Sequence, residues 1–163
     1  MLTRLMPDQI ANFWDVIKYA VEESLPPIVG DHPDRMNRIL ASLLCGKTEC
    51  WASYNKNESS IRFEGIVLTK IIYDDASDTR NLLMYCLYGY EDVNKESWFE
   101  GVGILAKYAK SKKCSKITAY TEIPYMIDMA KMLGGEAKYT FVSFDINKSI
   151  KLLNELEQSN KGK

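Results

Sequence analysis

Histidine and cysteine, the side chains most used for nucleophilic and metal chemistry, are sparse in this sequence. There is one histidine, His32, and the four cysteines, Cys45, Cys50, Cys86 and Cys114, form no C-x-x-C pair. A zinc site needs three or four such ligands at set spacings, so no metal is expected. Each cysteine lies in or beside an apolar run, as in Leu43-Leu44-Cys45 and Met84-Tyr85-Cys86-Leu87, where a thiol behaves as a small hydrophobe. That usage points to a reducing compartment. Serine–histidine and cysteine–histidine catalysis have only the residue types in their favour, with no arrangement to support them. Carboxylates remain. Glu91 and Asp92 close one run of β-formers and Glu122 closes another, and a carboxylate held there could serve as general base toward an amine. The ordinary setting of such residues is a strand end at the surface. His32, within Asp31-His32-Pro33-Asp34, could titrate near neutrality; the same four residues also read as a solvated turn with Asp34 capping the next helix.

The elements that must position these groups follow from periodicity. Pro7, then Ile10, Phe13, Trp14, Ile17 and Val21, make a 3.6-residue stripe, so a first helix is expected from Pro7 to about Ser24, where Pro26-Pro27 cannot continue it. Met36, Ile39, Leu40, Leu43 and Leu44 mark a second helix over about 34–45, stopped by Gly46. CWASYN, SIRFEGIVLTKIIYDD and TRNLLMYCLYGYED change to strand composition and read as three consecutive antiparallel strands. Trp98, Val102, Leu105, Ala106 and Ala109 return to helical spacing. KITAYTE is a short strand, 124–133 a helix closed by Gly134-Gly135, and KYTFVSFDI a last strand. The order α-α-β-β-β-α-β-α-β implies an α/β (α+β) fold with a mixed sheet, antiparallel in front with a β-α-β crossover behind. Residues 1–146 are expected to form a single domain. Residues 147–163 form an amphipathic, then polar, tail helix whose Ile150, Leu153 and Leu156 would be buried against a protein partner or a second copy.

Composition narrows the function classes. The 163 residues suit one domain, and 46% hydrophobic with 26% charged residues exclude a disordered chain. A net charge of -1 gives no global pull toward nucleic acid or anionic lipid. Lys107, Lys110, Lys112, Lys113 and Lys116 concentrate charge at one helix end, where cations complement the dipole; with no stacking aromatics interleaved, a nucleic-acid surface is not expected. Residues 1–20 carry Asp8 and Asp15 inside their apolar pattern, so neither a signal peptide nor a membrane span is expected. The expected location is the cytoplasm or an intracellularly assembled particle.

The element order, with ILAKYAKSKKCSKITAYTE and MAKMLGGEAKYTFVSFDI, resembles the GNAT superfamily of acetyl-CoA-dependent N-acyltransferases. The first stretch is similar to that family's long helix running into its next strand. The other stretch is similar to its last helix, Leu-Gly turn and final strand. The resemblance covers residues 6–146. It implies that acetyl-CoA pyrophosphate would lie on a Gln/Arg-x-x-Gly-x-Gly/Ala loop ahead of the long helix, where backbone N–H groups and the helix dipole hold anions. That places the cofactor contacts on Val93, Asn94, Lys95 and Ser97. Glu96 and Trp98 stand where glycines are expected, and Glu91-Asp92 put negative charge beside the phosphates. Glu100-Gly101-Val102-Gly103 holds a G-x-G, but a turn inside the helix, where small residues usually serve close packing. The tyrosine that acts as general acid in many members aligns with Ala130, and the asparagine with Ile123; Pro124 matches. Tyr125, on the same helix, is the substitute donor. The reading that follows is a GNAT-like domain with a decayed acetyl-CoA site, acting as a structural or interaction module in a larger assembly. Its architecture is similar to that of small GNAT-like phage virion and ejection proteins. The alternative is a divergent active N-acetyltransferase that binds acetyl-CoA between splayed strands, with Glu91 or Glu122 as base and Tyr125 as acid.

Overall fold

The computed structural model describes residues 1–57, 60–90 and 93–161. Two compact units make up the chain, Met1–Tyr120 and Thr121–Lys163. The first carries a mixed five-stranded sheet in the order β1-β2-β3-β4-β5, formed by β1 (Leu2–Arg4), β2 (Glu49–Asn57), β3 (Ser60–Asp74), β4 (Thr79–Gly89) and β5 (Lys116–Ala119). β1 to β4 are antiparallel, and β5 joins β4 in parallel. This is the antiparallel front and parallel return that the alternation of periods predicts. β1 is the strand the sequence did not announce, because three residues are too few to show alternation.

Four helices belong to this unit: α1 (Pro7–Asn12), α2 (Trp14–Glu23), α3 (Arg35–Leu44) and α4 (Lys95–Ser111). The single first helix expected from the stripe is broken at Phe13, whose backbone (φ -108, ψ 18) leaves the helical region while its ring packs edge-on against Phe63 at 5.1 Å. The stripe continues through the break, so Ile10, Ile17 and Val21 are all buried. Asp34 takes the expected N-cap position of α3 without capping it: its carboxylate accepts from Asn37 Nδ2 at 2.9 Å instead. Gly46 closes that helix at φ +74, a left-handed geometry that favours glycine.

Each face of the sheet has its own core. On one, Ile10, Ile17, Val21 and Leu43 pack against Cys50, Ala52, Ile66, Leu68 and Cys86; on the other, Leu105 and Ala109 of α4 pack against Trp51, Val67 and Leu82. Burial pushes the thiols of Cys50 and Cys86 up to about 12. Unfolded thiols ionise near pH 8.5, so the folded state holds protons that the unfolded state releases. The stability this confers is fully present below about pH 8.5 and is lost as pH rises toward 12. Urea midpoints are therefore expected to fall across that window, and less steeply in a Cys50→Ala/Cys86→Ala variant. A slope identical in the two proteins would contradict the assignment.

The second unit holds α5 (Pro124–Met132) and α6 (Ile146–Lys161). Pro124 opens α5 at a position where its missing N–H costs nothing, and Gly134 at φ +77 ends it. The last strand expected over KYTFVSFDI does not form. The β-forming composition is present, but residues 136–145 make no strand pairing, and Tyr139, Val142 and Phe144 are exposed. A strand signal needs a ladder partner as well as a pattern. Asp145 instead accepts the Lys148 N–H at 2.8 Å, and α6 starts there. The expected tail helix is present, with Ile150, Leu153 and Leu156 each more than half exposed.

Candidate functional site

A gap opens in the sheet where β4 and β5 part. Their pairing runs only from Asn81↔Lys116 to Met84↔Ala119. The next residue, Tyr85, is the extra residue of a bulge, since Leu68 pairs with Cys86 and Thr69 with Met84. A bulge bends its strand and raises local twist, which ends pairing on the neighbouring side. From Tyr85 to Gly89, β4 therefore has a ladder with β3 alone among the described residues. The bulge also turns both Tyr85 and Cys86 toward the helical core of α1 to α3.

α4 begins beyond the end of β4. Asn94 Oδ1 accepts the Ser97 N–H at 2.8 Å, a side-chain cap that uses one of the donors a helix start offers. Glu96 adds a carboxylate to the first turn, while the Lys95 ammonium lies 5.8 Å from the Phe99 ring centroid. Val93, Asn94, Lys95 and Ser97 are thus gathered at one helix start, all exposed. Gly101 and Gly103 lie inside α4. A Cβ on Gly101 would meet Leu2 Cδ2 at an ordinary 3.9 Å and one on Gly103 would meet nothing within 4 Å, so the close packing expected of this pair is not what they provide.

Of the candidate catalytic residues, Glu91 lies outside the described residues, as does Asp92. Glu122 is exposed ahead of α5 and Tyr125 is exposed in its first turn, both in the second unit. Ile123 takes the N-cap position of α5 and Ala130 lies in its last turn. His32 lines an open depression of about 380 Å³ with Lys18, Glu22, Asp31 and Arg35, and its Nδ1 accepts the Asp34 N–H at 3.1 Å. Sequence reasoning missed a cluster at the end of β4. Tyr19 stacks near Tyr90 at 6.5 Å and meets Tyr88 edge-on at 5.8 Å, and Tyr88 meets Tyr90 at 5.0 Å. Tyr90 donates its hydroxyl to the Val16 carbonyl at 2.7 Å. Burial pushes Tyr90 up to about 12, and a hydrogen bond with Tyr19 raises Tyr88. Tyr88 and Tyr90 are therefore hydrogen-bond donors at neutral pH rather than bases. Tyr19 lies beside the apolar stripe of α2, so only the alternation of Tyr88 and Tyr90 hinted at the group.

Among the described residues no cluster of His, Cys, Asp and Glu could hold a metal ion, and no helix is long and apolar enough to cross a membrane. A helix-covered antiparallel sheet that opens between β4 and a parallel β5, with α4 starting beside the opening, is the GNAT acetyltransferase fold. The chain is similar to a predicted acetyltransferase from Clostridium acetobutylicum solved with acetyl-CoA, at TM-score 0.65 and 12% identity over 91% of this chain and 97% of that one. It is similar too to the ribosomal-protein-alanine N-acetyltransferase of Brucella melitensis biovar Abortus 2308, at TM-score 0.61 and 12% identity over 90% and 99% of the two chains. An aminoglycoside acetyltransferase from an uncultured soil metagenomic sample, in complex with sisomicin, gives TM-score 0.60 and 15% identity over 89% and 93%. Identities this low establish the fold alone. No protein-family model and no curated protein sequence matches the chain.

Proposed function

We propose that this chain is a GNAT-fold domain whose acetyl-CoA site has decayed and that works as a structural or interaction module in a larger assembly, such as a phage virion or ejection component. The observation that carries this reading is the start of α4. Pyrophosphate binding there needs free backbone donors, glycines for close approach and no competing negative charge. Here the Ser97 N–H is taken by Asn94, Glu96 occupies the first turn, and no glycine stands between Gly89 and Gly101. The residues present fit a pyrophosphate poorly. Titration calorimetry with acetyl-CoA tests the reading: no heat is expected up to millimolar cofactor, and micromolar binding that Lys95→Glu weakens overturns it.

One observation favours a second reading, a divergent active N-acetyltransferase. The bulge at Tyr85 and the early departure of β5 leave backbone groups of β4 open to an extended ligand, as a cofactor thioester arm would require. In that case Glu122, or Glu91, would take the proton of the acceptor amine and Tyr125 would protonate the leaving thiolate.

The module reading also assigns α6 a role in association. Ile146, Ile150, Leu153 and Leu156 are all more than half exposed along its length. Deleting residues 148–163 is expected to lower the mass measured by light scattering. An unchanged monomer counts against self-association through α6.

A further inference from the structure

At the other end of β4 from the α4 start, six cations from four segments converge. Lys110 lies in the last turn of α4, Lys112 and Lys113 in the turn after it, Lys116 at the start of β5, Arg80 at the start of β4, and Lys47 ahead of β2. The fold brings them together by specific contacts. The Ser115 N–H donates to the Arg80 carbonyl at 2.7 Å, Lys116 pairs across from Asn81, and Lys47 and Lys112 line one depression of about 190 Å³ together with Glu49, whose carboxylate is paired with Arg4 at 3.1 Å. All six side chains are exposed, and none forms an ion pair with a described residue. Helix-dipole complementarity accounts for lysines in the last turn of α4, but not for Arg80 and Lys47, which belong to other segments.

An aromatic group that the linear sequence hides also stands here. The register sets Tyr73 of β3 directly across from Arg80, and Tyr73 is half exposed. On one side the patch is bounded by the β3–β4 turn, which carries Asp74, Asp75 and Asp78; Asp78 accepts from the Tyr73 hydroxyl and Asp74 from Ser77, bonds that orient these two carboxylates within the hairpin without removing their charge. A protein with net charge -1 that gathers six cations at one end, Lys112 among them lying 5.6 Å from the Tyr108 ring centroid, has a locally basic surface beside an acidic turn.

We propose that this surface binds the phosphate backbone of nucleic acid, with Tyr73 beside Arg80 available to an unpaired base. It is a site separate from the β4–β5 opening and does not depend on whether acetyl-CoA binds. Multiple exposed cations with an aromatic neighbour suit a nucleic-acid surface, where the charges meet phosphates and the ring meets a base.

Fluorescence anisotropy with a labelled 20-nucleotide single strand at 50 mM salt tests the proposal on the full chain. Binding is expected and, with four phosphates engaged, should weaken about fifty-fold between 50 and 200 mM salt. Reversing charge in Lys110→Glu/Lys112→Glu/Lys113→Glu should weaken it at least thirty-fold, with Lys18→Glu on α2 within two-fold of the parent. Should the triple variant lose its circular-dichroism spectrum, Arg80→Gln/Lys116→Gln is the variant to read, with a lower affinity and a shallower salt slope expected. Absence of binding at 50 mM salt, binding retained by both variants, or polyglutamate competing as well as the oligonucleotide would each overturn the proposal.

Discussion

Leu68→Ala is expected to lower the free energy of unfolding by about 3–4 kcal/mol, close to the middle of the range for a fully buried leucine. Leu68 is 0% exposed and sits in β3, flanked in the ladder by Cys50 of β2 and Cys86 of β4. Its side chain lies in the core that Ile17, Val21 and Leu43 close from the helical side. Truncation there leaves a void whose walls are three hydrogen-bonded strands, which cannot collapse into it as a loop could. For a domain whose total stability is about 5–15 kcal/mol, the loss is a large share of the whole. Urea unfolding gives the number, with Tyr139→Ala, at a residue 96% exposed, expected to stay within about 0.5 kcal/mol of the parent. A Leu68→Ala cost below about 1 kcal/mol would mean that β3 is not the centre of this core.

Acetyl-CoA is expected to give no heat in titration calorimetry at cofactor concentrations up to about 1 mM. A cradle of two or three backbone N–H groups on a pyrophosphate contributes charge-assisted hydrogen bonds of about 1.5–3 kcal/mol each. Losing two of them removes about 3–6 kcal/mol, a drop of two to four orders of magnitude from micromolar affinity. At the start of α4 the Asn94 cap has already claimed the Ser97 N–H, and Glu96 sets a like charge against any phosphate. Lys95, a cation at this helix start, is a point charge without the forked geometry that could replace a backbone cradle. The experiment separates the two readings of the fold: micromolar heat weakened by Lys95→Glu restores the enzyme, and silence leaves the β4–β5 opening without its anionic anchor.

Much of the fold is legible in the sequence, because long periodic segments carry their own instructions. α3, α4, α5 and the β2–β3–β4 meander fall where the apolar spacing puts them, and so does the parallel return of β5. The misreadings share one cause, which is that tertiary contacts decide where local patterns are indifferent. Phe13 has the right spacing for a continuous helix, but its ring is drawn to Phe63 and the helix breaks. KYTFVSFDI has the composition of a strand but no ladder to join. The site is legible only as a set of positions. Residues 93–97 can be placed at a helix start by counting, but that Asn94 caps Ser97 depends on a rotamer, and the phenol cluster joins residues more than sixty positions apart.

The length of β3 has a bearing on solubility. β2 pairs with it only as far as Glu49↔Thr69, while β4 continues to Asp74↔Thr79, so residues 70–74 of β3 run past β2 with one side of their backbone unpaired. Ile71, Ile72 and Tyr73 are exposed along it, the composition that invites another chain to add a strand. Lys70 at one end, its ammonium 4.5 Å from the Tyr85 ring centroid, and Asp74 at the other bracket this stretch with opposite charges. They act as gatekeepers: an incoming strand would have to strip water from both before its first new hydrogen bond formed. The price of so long a central strand is an unsatisfied edge, and two charged side chains keep it from becoming a seed for aggregation.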